Sequence, residues 1–168
     1  MPLKLDPIAE ARRHWEARWP AEPARAMAAI TSIMRSQQLL LARFDERLKP
    51  FRLTFPRYEA LMLLSFTTAG ELPIGKMGER LQVHRSSVTN VVEKLVADGL
   101  AERIPHPTDG RATLVRITSA GREVAAAATE VLNADLFGLR ALAPADQEEL
   151  VRVLRELRRD VGDFGRPG

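Results

Sequence analysis

The sequence predicts a mainly α-helical fold with one small β-hairpin, helices lying at both ends and a compact helix–turn–helix between them. Three observations carry this. Apolar residues recur at three- and four-residue steps over most of the chain, the period of a helix with one buried face. Aromatic residues make up only 5% of a chain that is 45% hydrophobic, which suits helices better than sheets. One stretch alone breaks that period: the runs 100–104 and 112–117 flank a loop containing Pro105, Pro107, Asp109 and Gly110, the punctuation of a hairpin.

The elements follow in order. Asp6 is a good N-cap and Pro7 suits the first helical position, so a first helix starts there, with Ile8, Ala11, Trp15 and Trp19 on one face. Pro20 and Pro23 interrupt it. A long second helix spans about 24–48. Met27, Met34, Leu41 and Leu48 fall seven apart, with Ile30, Gln37 and Phe44 three residues on. Such a seam suits packing against other helices or another subunit. Gln37 is its polar interruption, able either to fix helix register or to line a cavity. Thr54 caps a third helix with Pro56 in its first turn and an apolar body from Tyr58 to Phe66. Gly70 to Leu72 reads as a turn, and Pro73 opens a short helix through Leu81. Gln82 and Val83 turn into a helix starting near His84, whose buried face is Val88, Val91, Val92, Leu95 and Val96. Gly99 ends it. After the hairpin, Thr118 caps a helix rich in alanine from Ala125 to Ala128, a composition that favours close approach of another backbone. Pro144 opens the last helix, marked by Leu150, Leu154, Leu157 and Val161.

Composition excludes several classes. There are no cysteines, so disulfides and thiolate metal sites are ruled out. No apolar run is long enough to span a bilayer and no signal core opens the chain, which points to a cytoplasmic protein with no membrane partner. No phosphate-binding loop, nucleophile elbow or zinc-protease motif is present, and none of His14, His84 and His106 sits in an acid-plus-nucleophile pattern, so an enzyme is not expected and no cofactor is implied. The net charge is only +3. Nucleic-acid binding therefore depends on where the charges sit and not on their sum.

They sit suggestively around the predicted helix that starts near His84. Its first turn presents His84, Arg85, Ser86, Ser87, Thr89 and Asn90, with no acid among them. Arginine can pair with a guanine edge, asparagine with adenine, and hydroxyls with base edges or phosphates. One of Ser86 and Ser87 is expected to cap the helix, leaving the other free. His84 serves as cap, phosphate contact or pH-sensitive element, and no carboxylates surround it to make a metal site. Lys76, at the preceding helix's start, is a candidate phosphate contact. Arg111 at the hairpin tip can reach a phosphate or the minor groove. Asp109 is placed to cap that turn and orient the guanidinium, as wing support and not a DNA contact. A helix docked on a preceding helix and flanked by a hairpin is the apparatus for entering a DNA groove.

Particular residues sharpen this. Asp109-Gly110-Arg111, followed by Ile117-Thr118 and Gly121, resembles the wing signature D-x-R…(L/I)-T-x-x-G of the MarR family of bacterial winged-helix repressors. Leu81-Gln82-Val83 with Ser86-Ser87-Val88-Thr89 is similar to that family's turn and recognition helix, and Asp98-Gly99-Leu100 to its link into the wing. The likeness covers the chain from Ala24 onward. Gly110 stands where many members carry a second arginine, which implies a weaker grip on phosphate. The resemblance implies a single domain over residues 1–168: a winged helix–turn–helix lobe at 54–117, with dimerisation helices at 1–50 and 118–168. It implies a homodimeric repressor on double-stranded DNA, released by a small-molecule effector. An extra tryptophan-bearing N-terminal helix is similar to the urate-sensing subgroup, in which a tryptophan, an aspartate and an arginine serve the ligand site. The corresponding candidates are Trp15 or Trp19, Asp45 and Arg80, with Gln37 beside them, for urate or a phenolic or other aromatic acid. A winged-helix protein-interaction module and a non-specific architectural DNA binder are the alternatives.

Overall fold

The computed structural model describes residues 4–108 and 112–165 and falls into two compact units, 1–46 and 47–168. The first unit holds α1 (Pro7–Glu16) and most of α2 (Ala21–Leu48). Asp6 caps α1 as expected, accepting a bond from the Ile8 amide at 2.9 Å, with Pro7 at the first position. The helix stops at Glu16, so Trp19 lies just beyond it. The Trp19 amide still bonds the Trp15 carbonyl, and the two rings meet at a tilt of 43° with centroids 4.7 Å apart. Contrary to expectation, Pro23 does not delay α2, which starts at Ala21. A first-turn proline forfeits only an amide that has no helical partner anyway. In the single chain much of the seam faces solvent: Ile30, Met34, Gln37 and Leu41 are all exposed. Gln37 is therefore not a buried amide here.

The second unit is built on α3 (Phe55–Ser65), α4 (Ile74–Leu81), α5 (Arg85–Ala97), α6 (Ser119–Ala134) and α7 (Pro144–Asp160), with strands β1 (Glu71–Pro73), β2 (Ala101–Pro105) and β3 (Thr113–Ile117). Thr54 stands at the N-cap of α3 but makes no side-chain capping bond. The stretch read as a turn at Gly70–Leu72 is partly a strand: β1 pairs antiparallel with β3, so the sheet has three strands in the order β1-β3-β2. A three-residue strand ending in proline is too short to show an alternating pattern, and only its partner reveals it. In this register Arg116 lies between Glu71 and Glu102 and reaches both carboxylates, at 2.7 and 3.6 Å.

The core of this unit joins Leu61 and Leu64 of α3, Met77 of α4, Val88, Val92 and Leu95 of α5, Val115 of β3 and Leu132 of α6, all buried. Val91 and Val96, expected on the same face, are half-buried. Ala125 and Ala128 are buried on α6, which packs on α3, and the Tyr58 hydroxyl meets Thr129 Oγ1 at 2.9 Å. The small side chains are thus used for helix approach within one chain. After α6 a short left-handed reversal at Leu136–Gly138 leads to α7, where Leu150, Val151, Val153, Leu157 and Val161 remain exposed.

Candidate nucleic-acid interface

α5 packs on α3 and α4 through its buried valine stripe, and this fixes which side is left for a partner. His84 is its N-cap but makes no side-chain capping bond. Ser86 and Ser87 lie inside the first turn, so neither caps the helix, contrary to expectation. Both hydroxyls are therefore open to a partner. His84, Ser86, Ser87 and Asn90 are exposed, while Thr89 is half-buried. Arg85 opens the helix, but its side chain lies outside the described residues, as do Asp109, Gly110 and Arg111 entirely. Lys76 on α4 is exposed and paired with Glu79 at 2.9 Å. An ion pair this exposed is worth little and is readily exchanged for another anion. Further along α5, Glu93 faces Arg103 of β2 at 3.7 Å, so the acid-free surface is limited to the first two turns.

Residues with no apparent functional pattern hold the other end of α5. Arg57, in the first turn of α3, is only 9% exposed. It donates to the carbonyls of Arg52 at 2.6 Å and Lys94 at 3.4 Å and pairs with Asp98, the C-cap of α5. A guanidinium placed there adds a second donor to the Lys94 carbonyl, which already accepts the Asp98 amide at 3.0 Å, and sits at the helix's negative dipole end. Arg52 approaches the same carboxylate at 3.7 Å. The Arg57 hydrogen bond holds the Asp98 carboxyl below the usual carboxylate range. Arg57 Nε is buried without a hydrogen-bond partner among the described residues. The sequence marks Asp98 through the Asp98-Gly99-Leu100 link and places an arginine at the head of α3, but no local pattern says that the two meet.

A second knot explains the motif Ile117-Thr118-x-x-Gly121. The Thr118 hydroxyl accepts from the Gly121 amide at 3.0 Å and donates to the Gly99 carbonyl at 2.8 Å, while the Thr118 amide bonds Leu100 O at 3.1 Å. One residue thereby caps α6 and ties the end of α5 to the end of β3. Gly121 lies so close to Leu100 that a Cβ would overlap its carbonyl oxygen and stand 2.9 Å from Ile117 Cγ1. A side chain is sterically excluded there.

One cleft runs along α4 and the turn into α5, and another lies against α5 itself. The first, of about 510 Å³, is lined by Ile74, Gly75, Gly78, Gln82, Val83 and His84. The other, of about 400 Å³, lies between the start of α3 and α5 and includes Arg57, Ser87, Asn90 and Lys94. Neither gathers the residues expected to serve a ligand. Trp15, Trp19, Gln37 and Asp45 lie on the first unit and Arg80 near the end of α4, each exposed.

A helix–turn–helix of α4 and α5, entered through β1 and followed by the β2–β3 hairpin that completes a three-stranded sheet, defines a winged helix–turn–helix protein. The sequence pattern of the MarR family matches residues 53–112, the span from the lead-in to α3 to the start of β3. A MarR family transcriptional regulator from Streptomyces coelicolor is 53% identical, covering 84% of this chain and 99% of its own, with a TM-score of 0.78. The HTH-type transcriptional repressor IacR of Pseudomonas putida is 33% identical over 112 residues, 66% of this chain but 65% of its own length. A MarR variant from Escherichia coli, solved with operator DNA, shares the fold with a TM-score of 0.69 at 21% identity, covering 76% of this chain and 91% of its own. The chain belongs to the MarR family of transcriptional regulators, which are not enzymes. Among the described residues, no helix is long and apolar enough to cross a membrane.

Proposed function

We propose that this chain is a homodimeric, sequence-specific repressor that binds a palindromic operator in the cytoplasm and is released by a small aromatic or purine-like anion. The observation that carries the DNA reading is the first two turns of α5. Its exposed histidine, serines and asparagine are free of acids and mounted on a buried valine stripe beside the sheet. His84, Arg85, Ser86, Ser87, Thr89 and Asn90 are assigned to the groove and its phosphates. Lys76 and Arg111 are assigned to phosphate, with Asp109 supporting the wing. The apolar residues left exposed along α2 and α7 support a dimer, because stripes of this size on terminal helices call for burial. Two-fold symmetry then places half-site centres about 34 Å apart. Trp15, Trp19, Gln37, Asp45 and Arg80 remain the candidates for the effector. A structural neighbour at 17% identity was solved in a 2,4-dichlorophenol-bound form, which makes a phenolic anion a sensible first trial here. Useful switching needs a ligand preference of about 1–3 kcal/mol for the released state.

A gel shift on the intergenic DNA beside its own gene, with and without urate-like and phenolic anions, tests the reading. Arg111→Ala should weaken binding across sequences and lower the salt slope by about one phosphate contact. Equal affinity for operator and random duplex would point to an architectural binder. No salt-sensitive DNA binding at all would point to a protein-interaction module.

A further inference from the structure

The turn between α4 and α5 is tied to the far end of the chain. Gln82 occupies that turn at φ 55, the left-handed region that non-glycine residues seldom adopt. Its Nε2 donates to Asp163 Oδ1 at 2.5 Å and lies 3.5 Å from the Asp163 carbonyl oxygen. Asp163 is itself held in place. Beyond α7 the Gly162 amide bonds Arg159 O at 3.1 Å and the Asp163 amide bonds Arg158 O at 2.9 Å, the paired bonds of a Schellman ending. Arg158 Nε holds the second carboxylate oxygen at 2.5 Å. The Phe164 ring lies 5.3 Å from the Arg158 guanidinium and 5.9 Å from that of Arg159. One oxygen of the carboxylate is thus anchored by its own helix and the other grips the turn. The carboxylate side chain is 21% exposed, and a bond to a charged acceptor is stronger than a neutral one.

We propose that the Gln82–Asp163 contact is a strut that sets the reading helix at a fixed distance from α7, with both residues acting as positioning residues for operator spacing. This rests on the reading of the chain as a dimer on a palindrome. His84, the N-cap of α5, follows two residues after Gln82, so a shift of the turn passes directly into the side chains assigned to the bases. α7 is one of the helices left with an uncovered apolar face, so a bond from its end to the turn links a dimer helix to the reading end without passing through the core. A contact of this kind adds little to overall stability. Its effect is on which half-site separation both reading helices can occupy together.

The test uses the full chain to select a palindrome from a random duplex pool. The selected duplex is then remade with its centre lengthened or shortened by one base pair. Asp163→Ala and Gln82→Ala should each lose about fivefold of the preference for native over shifted spacing, with affinity for random duplex unchanged. Asp163→Asn, which keeps an oxygen for Gln82 to donate to, should retain most of it. The Asp163→Ala/Gln82→Ala double variant should be no worse than either single change, because both remove one contact. Amide exchange over residues 80–84 should rise in the two alanine variants. Unchanged spacing preference or unchanged exchange in those variants overturns the strut, and so does an equal loss on operator and random duplex. A wild-type chain that selects no palindrome overturns the operator reading instead.

Discussion

At its C-terminal end α5 is held by Arg57 through Asp98 and the Lys94 carbonyl, and by Thr118 through the neighbouring Gly99. At its N-terminal end His84, Ser86, Ser87 and Asn90 stand exposed, and the capping residue makes no side-chain bond. One helix of thirteen residues therefore runs from a clamped base to an open tip. The difference shows how such a helix combines rigidity with recognition. Its direction is set at the clamped end, and its chemistry is kept where His84, Ser86, Ser87 and Asn90 stand exposed. Substitutions should separate the two ends, with stability lost at one and specificity at the other.

The largest effect is expected at Gly121. Gly121→Ala drives a methyl into the Leu100 carbonyl, a backbone atom that cannot swing aside, and should cost about 3 kcal/mol or more in calorimetry. A near-neutral result would mean that the junction of β2 and α6 is looser than its hydrogen bonds imply. Arg57→Ala comes next. Among the described residues it leaves Asp98 only the more distant Arg52 as an ion-pair partner, and it removes the second donor to the Lys94 carbonyl. A loss of about 2–3 kcal/mol is expected in urea unfolding, less than for a fully buried pair because Asp98 is partly exposed.

A smaller effect follows from the Asp98 carboxyl. Its pKa is lowered in the folded chain, so its contribution is present above the unfolded carboxylate value of about 4 and is lost as pH falls through the folded value. Melting temperatures of the wild type and Asp98→Asn should therefore differ most near neutral pH and converge in acid. A gap that widened on acidification would have the wrong sign for this ion pair. The smallest effect on stability belongs to the open tip. Asn90→Ala should change unfolding by less than about 0.5 kcal/mol, as is usual for an exposed site. It should nevertheless relax preference at one base position, by about 1–3 kcal/mol if it makes a full paired contact. Loss of stability without loss of base preference would place Asn90 in the groove beside α3 and not on DNA.

Much of this architecture was legible because it is local. The helix starts at Asp6 and Thr118 and the buried stripe of Val88, Val92 and Leu95 depend on spacing along one segment. The motif Ile117-Thr118-x-x-Gly121 announced its position, and the structure supplied its reason, a hydroxyl serving two backbones at once. Other features were hidden for a common cause. β1 is a strand only because β3 lies beside it. Ser86 and Ser87 looked like caps, because a hydroxyl near a helix start has the same sequence whether it sits before the first turn or inside it. Gln37 looked buried, because a seam in the sequence does not say whether its partner belongs to the same chain.

The sequence by itself determined the helical periods, the placing of the hairpin, the absence of acids at the head of α5 and the family signature, since each depends on residues that are neighbours in the chain. The tertiary structure alone decided that Arg57 clamps Asp98, that Gly121 must lack a side chain because Leu100 passes across it, and that Gln82 meets Asp163. Those contacts join residues 41, 21 and 81 positions apart, and the register between such distant segments is set by how the core packs, which no local pattern encodes.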